Sequence, residues 1–593
     1  MSPKPWLAVA LTVIQAVSKL AMIRRRVPLL ARLAVPYRTL HCWASQQWHP
    51  NLPLKLLLVA LLMTPRASVA APEQPAAHAT GSQGAVSAGG AGAVDAGIEI
   101  LKRGGNAADA AAATILALSV TDSLGFCFGG EVPILVYDAR RQVVEVIAGQ
   151  GAAPRLATRE YFEKQGGIPA SGIQAAAVPA AFDACITLLD RSGTLRLADV
   201  AEPALDLLDR GKAPWHPLLA RTLRRLIAAE NQAGPDRSRS LRAAADYFYR
   251  GPFARELADW SAQNGGLIRF EDLATHVTRV EEPAVVDYRG HAVYKCGPWT
   301  QGPYLLQTLR LLAGFDLASL GHNRPESIHL TIEAMKLALA DRDVYYADPL
   351  FVQVPLDVLL SPSYADLRRP LIDLAHASLE QRPGDPLSGQ ALLAENEKRR
   401  GLVGAVHDTT TCVAADRWGN VVIATPSGWS GVQAGDTGVW LGSRLQSFNT
   451  WAGHPNCIAP GKRPRITLTP TLILKEGKPV LAISVAGGDG QDQAALQAVL
   501  NQIDFKLSAT ESVKAVRFGT NHHLGSFRQS PPQLGSLLIH DNADPATIAA
   551  LERLGHKVER SSGPLWAPSL VRITPEGFEA AGDARAGRHA AAY

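Results

Sequence analysis

Residues 408–422 read DTTTCVAADRWGNVV, and this stretch dominates the fold prediction. Segments 410–415 and 421–425 are rich in threonine, valine and other residues that favour strands. Between them lies DRWGN, a mostly polar segment that contains a glycine. Two strand-like segments around such a turn predict a β-hairpin. The threonine run at the head of the first strand is, by itself, ordinary β-propensity.

A second hairpin follows. Segments 471–474 and 479–485 flank the turn KEGK, and the chain then passes through Gly487 and Gly488. Beyond the glycines, apolar residues recur with helical spacing up to Ile503, which predicts a helix after the second hairpin.

Helical patterns dominate the part of the chain before residue 408. Val94, Ile98 and Leu101 share one face of a predicted helix. Asn106 is typical of the N-cap of a second, alanine-rich helix, and Asn323 is the predicted N-cap of a helix that starts near residue 325. Helices first and hairpins later indicate an α+β chain.

Composition excludes several classes of protein. The chain has 593 residues, of which 47% are hydrophobic and 19% charged, so it is globular and not disordered or fibrous. Its six cysteines are scattered without a CxxC pair, so neither a disulfide framework nor a paired-cysteine zinc site is expected. The net charge of +5 comes from nine Lys or Arg residues within residues 1–70, which contain no Asp or Glu. The remainder carries 50 basic and 54 acidic residues, so no nucleic-acid partner is expected.

Residues 1–70 resemble an export leader. An apolar run at 56–63 follows Lys55, and the small-x-small sequence Ser68-Val69-Ala70 resembles a signal-peptidase site. Eight apolar residues are too few for a bilayer span, which needs about 20. We therefore expect a periplasmic or extracellular protein. About 50 residues precede the run, so three alternatives stay open: a start codon downstream of Met1, membrane association through an unusual anchor, or a short buried apolar stretch.

Common catalytic signatures are absent from the sequence. It has no GxSxG, no HExxH and no Walker motif. His522-His523 is a pair without carboxylates or cysteines at ligand spacing, so no metal is expected there.

Six longer segments together resemble the γ-glutamyltransferase (γ-glutamyltranspeptidase) family of N-terminal-nucleophile hydrolases. Their order and spacing match the family over nearly the whole chain after residue 82. They are AVDAGIEILKRGGNAADAAAATILAL (93–118), APRLATREYF (153–162), ALADRDVYYADP (338–349), DTTTCVAADRWGNVV (408–422), APGKRPRITLTPTLILKEGKP (459–479) and AGGDGQDQAALQAVLNQIDF (486–505). The resemblance implies a four-layer αββα sandwich of the N-terminal-nucleophile type, built by two chains cut from one precursor.

The resemblance also implies where the precursor is cut. The cut falls between Asp408 and Thr409, which gives a large subunit of residues 71–408 and a small catalytic subunit of residues 409–593. A free α-amine at Thr409, with a pKa of about 7.7–8.0, can take the proton of its own hydroxyl. No cofactor or metal is then required.

Further site residues follow from the same resemblance. Gly487 and Gly488 match the oxyanion-hole glycines of the family, and they directly precede the predicted helix. Ser427 stands where the family has a threonine that hydrogen-bonds the nucleophile, so a hydroxyl is kept.

The predicted acyl pocket departs from the family. Gln150 replaces an arginine, Ser447 an acidic residue and Trp429 an asparagine. Ile466 and Thr467 replace two serines. A zwitterionic glutamyl group needs both of its charges matched. We therefore expect a small-molecule amide substrate with a less charged acyl group, transferred to water more readily than to an amine. The alternative is a non-catalytic family member that serves as a binding or structural module.

Overall fold

The computed structural model describes residues 76–394, 401–402 and 408–593. The predicted leader lies outside these residues, as does the segment just before Asp408. Among the described residues, no helix is both long and apolar enough to cross a membrane.

Seventeen strands are assigned in the described part of the chain. They are β1 (His78–Gly81), β2 (Gly84–Gly89), β3 (Val132–Asp138), β4 (Val143–Gly149), β5 (Arg279–Glu281), β6 (Ala284–Tyr288), β7 (His291–Lys295), β8 (Cys412–Asp416), β9 (Val421–Ala424), β10 (Thr471–Lys475), β11 (Lys478–Ala486), β12 (Phe518–Gly519), β13 (Ser536–His540), β14 (Lys557–Ser561), β15 (Ala567–Thr574), β16 (Gly577–Gly582) and β17 (Arg588–Ala592).

Seventeen α-helices are assigned in the same residues. They are α1 (Ala91–Lys102), α2 (Ala107–Thr121), α3 (Arg159–Lys164), α4 (Ala181–Ser192), α5 (Leu197–Arg210), α6 (His216–Gln232), α7 (Arg237–Tyr249), α8 (Pro252–Gln263), α9 (Phe270–Ala274), α10 (Pro303–Leu312), α11 (Leu317–Leu320), α12 (Pro325–Tyr345), α13 (Leu356–Leu359), α14 (Pro362–Arg368), α15 (Gln491–Ile503), α16 (Ala509–Lys514) and α17 (Pro545–Arg553).

Two seven-stranded sheets form the centre of the fold. The first sheet has the order β17-β2-β8-β9-β3-β4-β5 and the second has the order β1-β16-β15-β11-β10-β7-β6. Neighbouring strands within both sheets are antiparallel. A small sheet, β12-β13-β14, lies apart from them.

Each large sheet buries both faces, which produces four layers. On β8, Val413 belongs to the apolar cluster between the two sheets, whereas its neighbour Ala414 packs with helices α1, α2 and α4–α9. On β10, Leu472 belongs to the central cluster and Ile473 packs with helices α10–α17. Side chains alternate between the two faces of a strand, so one face of each sheet packs against helices and the opposite face packs against the second sheet. The predicted αββα sandwich is confirmed.

Both predicted hairpins are present. β8 pairs with β9, and β10 pairs with β11. Asp416 closes the first turn, because its carboxylate accepts the backbone N–H groups of Trp418 at 2.9 Å and Asn420 at 3.0 Å. It also accepts the Ala107 N–H at the start of α2 at 2.8 Å, so the turn is tied to the helical layer.

One of the two predicted helix caps is confirmed and the other is wrong. Asn106 caps α2 and completes a capping box with Asp109, as expected. Asn323 does not cap α12. Pro325 is the first residue of that helix and restricts the residue before it to an extended conformation, so Arg324 occupies the cap position. The amide of Asn323 instead donates to the Val516 carbonyl at 3.0 Å.

Candidate active site

Thr409 lies buried just before β8 and directly follows Asp408. Its hydroxyl donates to the carbonyl oxygen of Asp408. The Thr409 Oγ1 is also 3.3 Å from Ser427 Oγ. The hydroxyl that sequence analysis assigned as nucleophile therefore faces the peptide bond that it is expected to cut.

The β8–β9 hairpin places Ser427 beside Thr409. The Thr410 N–H donates to the Pro426 carbonyl at 2.8 Å, which continues the hairpin pairing beyond the strands. Ser427 Oγ lies 3.1 Å from the Asp408 carbonyl oxygen and 2.8 Å from Asp408 Oδ1. The hydroxyl expected at this position is thus in contact with both the nucleophile and the scissile residue.

A buried charged cluster, missed by the sequence analysis, surrounds this pair. Arg444 Nη2 donates to Ser427 Oγ at 2.7 Å and to Asp408 Oδ1 at 3.2 Å. Arg444 Nε donates to Glu131 Oε1 at 2.5 Å. All three charged side chains are buried. Burial raises the pKa of Glu131 to about 7, Arg444 acts to lower this pKa and Asp408 to raise it.

Glu131 should make the stability of the uncleaved chain depend on pH. Its folded-state pKa lies above the ordinary value of 4.5, so between pH 4.5 and 7 the folded chain binds a proton that the unfolded chain releases. Its contribution to stability is therefore full below pH 4.5 and is lost as pH rises through about 7. We expect a Thr409→Ala chain to lose on the order of 3 kcal/mol more over this range than the double variant Thr409→Ala/Glu131→Gln. Urea unfolding at a series of pH values measures the difference. Parallel curves for the two chains would contradict the prediction.

The Gly487–Gly488 turn connects β11 to α15, as the sequence predicts. Both residues have positive φ, 134° and 58°. A Cβ atom on Gly487 would lie 2.6 Å from Cδ1 of Trp566, so glycine is required by both conformation and space.

Gln491, the first residue of α15, links the glycine turn to the nucleophile. Its side-chain amide lies 3.3 Å from Thr409 Oγ1. In the orientation that satisfies its neighbours, the amide nitrogen donates to the Val485 carbonyl at 2.9 Å and the amide oxygen accepts the Gly488 N–H at 3.3 Å. Sequence analysis did not single out this residue.

The last strand also reaches the nucleophile. Arg588 on β17 donates to the Thr409 carbonyl oxygen at 3.3 Å and to Asp122 at 3.2 Å. These contacts fix the backbone of Thr409 from the opposite end of the chain.

Of the four residues predicted for the acyl pocket, Thr467 and Trp429 lie next to other residues of the site, whereas Gln150 and Ser447, in the described part of the chain, make no hydrogen bond to the predicted nucleophile or its partner. Thr467 is buried 3.5 Å from the Gln491 amide. Trp429, two residues after Ser427, packs against Trp440 with ring centroids 4.6 Å apart and ring planes tilted by 31°. Gln150 and Ser447 are also buried, but within the described residues neither one hydrogen-bonds to Thr409 or Ser427. Gln150 Oε1 and Ser447 Oγ have no hydrogen-bond partner there.

One group of side chains in the described residues has the composition of a metal site. The ligand atoms of His329, Glu333 and His556 lie within 4.8 Å of one another. Glu333 already accepts the Lys336 ammonium at 2.6 Å and the Arg382 guanidinium at 3.3 Å. A divalent cation would have to displace these two cations, so the group does not fit a metal well. His522, from the predicted non-ligand pair, is held by the Glu380 carbonyl and the Gly535 N–H.

Known proteins are similar to this chain in sequence and architecture. The profile of the Gamma-glutamyltranspeptidase family matches residues 93–233 and 212–593. The Acylase ACY 1 proenzyme of Pseudomonas sp. (strain SE83) is 34% identical, over 84% of this chain and 91% of the relative. The Glutathione hydrolase proenzyme of Bacillus subtilis (strain 168) is 30% identical, over 84% of this chain and 89% of the relative.

A solved structure agrees with both. The cephalosporin acylase from Bacillus halodurans superposes with a TM-score of 0.72 at 26% identity, over 90% of this chain and 99% of that one. Relatives of both the acylase and the glutathione hydrolase kind thus match over most of their length. The chain belongs to the Gamma-glutamyltranspeptidase family of hydrolases.

Proposed function

We propose that this protein is a self-processing amidohydrolase that forms an acyl-enzyme on Thr409 and passes the acyl group to water. The observation that carries the proposal is the buried hydrogen bond from the Thr409 hydroxyl to the Asp408 carbonyl, with Ser427 Oγ 3.3 Å away. A hydroxyl so placed is close to the carbonyl carbon that it must attack.

Self-processing follows from this contact in two steps. Thr409 Oγ1 attacks the Asp408 carbonyl carbon, the C–N bond breaks, and the hydroxyl proton passes to the nitrogen. The product is an ester of Asp408 on Thr409 and a free Thr409 amine. Water then hydrolyses the ester, which leaves the Asp408 carboxylate at the end of the large subunit and regenerates the hydroxyl.

Amide hydrolysis uses the amine created in this way. The α-amine of Thr409 takes the hydroxyl proton, the oxygen attacks the substrate carbonyl, and the amine then protonates the departing nitrogen. Negative charge develops on the carbonyl oxygen during the attack. We assign the backbone N–H groups of Gly487 and Gly488 to its stabilisation, because they lie at the turn into α15, whose first residue, Gln491, has its amide 3.3 Å from Thr409 Oγ1. The oxyanion replaces the Gln491 amide oxygen as the acceptor of the Gly488 N–H.

The acyl group is proposed to lack the glutamyl α-ammonium and α-carboxylate pair. Gln150 and Ser447 are neutral, and Trp429 adds an aromatic surface in place of an amide. Kinetics with a γ-glutamyl anilide and a set of other acyl anilides would test this assignment. Glutamyl turnover well above the rest would overturn it.

Mass spectrometry and N-terminal sequencing of purified wild-type protein test the self-processing. We expect two polypeptides, the smaller one beginning Thr409-Thr410-Thr411 and ending at residue 593. The mass of the larger one also tests a second proposal, that the leader at 1–70 directs export and is removed near Ala70. A fully active preparation that consists of intact chain would contradict both the self-processing mechanism and the removal of the leader. An intact, inactive chain would favour the binding-module alternative.

A further inference from the structure

In the proposed self-processing, Asp408 supplies the first acyl group that is transferred to Thr409. This inference rests on the proposed function, in which the same Thr409 oxygen forms an ester first with Asp408 and later with each substrate acyl group. Both esters occupy one position relative to the nucleophile. The surroundings of the Asp408 side chain in the uncleaved chain therefore describe part of the space that a substrate acyl group enters.

The Asp408 carboxylate lies in a site built for an anion. Its Oδ1 accepts from Ser427 Oγ at 2.8 Å and from Arg444 Nη2 at 3.2 Å. The guanidinium of Arg444 is fully buried and lies 5.6 Å from the centroid of the Phe527 ring. A buried guanidinium interacts strongly with a carboxylate because little water screens the two charges.

The site has unused hydrogen-bonding capacity. Within the described residues, Asp408 Oδ2 and Arg444 Nη1 have no hydrogen-bond partner. A carboxylate that shifted slightly could engage both Nη atoms of Arg444, the two-point geometry that guanidinium groups favour.

Turnover requires Asp408 to leave this site. Its carbonyl carbon occupies the position of the scissile carbonyl, so a substrate enters only after the new C-terminus has moved away. Arg444 Nη2 then loses its contact with Asp408 and keeps Ser427 and Glu131, while Nη1 has no hydrogen-bond partner among the described residues. A buried donor without a partner is costly, which favours a second anion in the vacated space.

Glu131 does not prevent a second carboxylate from binding. The uncleaved chain already holds Glu131 and Asp408 around one guanidinium. The pKa of Glu131 rises to about 7 through burial, despite Arg444 and with a contribution from Asp408, so Glu131 can take up a proton near neutral pH. Cys127 also faces this cluster, and burial keeps its thiol protonated by raising its pKa well above the ordinary value.

The length of the preferred acyl group follows from the covalent structure of aspartate. From its carbonyl carbon, Asp408 has two carbons and then the carboxylate, which is the skeleton of a succinyl group. Glutaryl and γ-glutamyl groups place their carboxylate one carbon farther away. We propose that the processed enzyme recognises acyl groups in which two carbons separate the scissile carbonyl from a carboxylate. Arg444 and Ser427 bind this carboxylate in the space that the Asp408 side chain leaves.

Four p-nitroanilides test the proposal on the processed wild-type enzyme: succinyl, succinamoyl, butyryl and glutaryl. Succinamoyl has the size of succinyl without its charge, and butyryl has a methyl group in place of the carboxylate. We expect kcat/KM for succinyl to exceed that for succinamoyl and butyryl by about 10- to 100-fold, as for a hydrogen bond to a charged group, and to exceed that for glutaryl. Rates without enzyme correct for spontaneous cyclisation.

The outcomes separate this inference from the proposed function. Hydrolysis of the neutral anilides at rates equal to succinyl overturns the carboxylate site and leaves the amidohydrolase in place. A chain that is neither cut after Asp408 nor active on any of the four overturns both.

A variant tests whether Arg444 binds the acyl carboxylate, and an inhibitor tests whether the wild-type enzyme recognises a carboxylate at this position. Arg444→Gln should lower the succinyl-to-butyryl ratio of kcat/KM by at least about tenfold, and an unchanged ratio would overturn the assignment to Arg444. If Arg444→Gln is not processed, inhibition of the wild-type enzyme decides. Succinate should compete with the butyryl anilide at a concentration at least about tenfold lower than succinamate, and equal inhibition would overturn the proposal.

Discussion

Alanine at position 409 should leave the chain in one piece and remove amide hydrolysis. The substitution deletes the hydroxyl that donates to the Asp408 carbonyl, so no ester forms and no free α-amine appears. We expect kcat to fall by about 10⁴-fold or more, as for the loss of other catalytic nucleophiles. A denaturing gel measures the cleavage, and p-nitroanilide release measures the hydrolysis.

Serine at the same position is the matched control. Thr409→Ser keeps the hydroxyl and deletes only a methyl group, so two bands and measurable hydrolysis should remain. Circular dichroism of both variants checks that the fold is intact. Cleavage of the Thr409→Ala chain after Asp408, or full activity of its uncut form, would rule out Thr409 as the nucleophile.

Alanine at Gly487 should impair catalysis while the protein remains folded. The residue has a φ of 134°, and a Cβ atom there would lie 2.6 Å from Trp566. Either the turn or the Trp566 side chain must therefore shift, and the positive φ strains an alanine at 487 in any case. We expect the N–H groups of 487 and 488 to be displaced as a result. Loss of one oxyanion donor costs about 10²- to 10³-fold in kcat, and we expect a loss of that size for Gly487→Ala. The reason is geometric, since donors stabilise the oxyanion only at the correct distance.

Gly477→Ala separates this effect from general backbone strain. Gly477 lies in the turn between β10 and β11, also with a positive φ of 75°, and a Cβ atom there would have no heavy atom within 4 Å. Both variants bear the conformational cost of a non-glycine residue at positive φ, but only Gly487 adjoins the site. Equal kcat values for the two variants would contradict the oxyanion role of Gly487.

Local sequence patterns predicted much of the fold. The β8–β9 hairpin depends on residues close together in the chain, and Thr409 and Ser427 are only 18 positions apart. The capping box of Asn106 is likewise local. Asn323 shows the limit of such patterns, because the adjacent Pro325 moved the cap to Arg324.

The charges around the proposed acyl pocket could be predicted only in part from the sequence. Substitutions at positions 150, 429, 447 and 467 suggested a less charged pocket, whereas the structure places the guanidinium of Arg444 against Asp408 and Ser427. In our proposal, Arg444 supplies a positive charge in place of the arginine that position 150 lacks, and a comparison position by position does not detect such a replacement.

The sequence by itself identified the family, and that resemblance implied the layer order and the expected scissile bond. Short-range periodicity and turn chemistry predicted the β8–β9 hairpin, which brings Ser427 beside Thr409. The tertiary structure alone decided that Arg444 pairs with Glu131, 313 positions earlier, and that Gln491 meets Thr409, 82 positions earlier. Arginine and glutamate are usually exposed, so their sequence context predicts a surface location. Only the pairing of β3 with β9, and the packing of one sheet on the other, buries these side chains together.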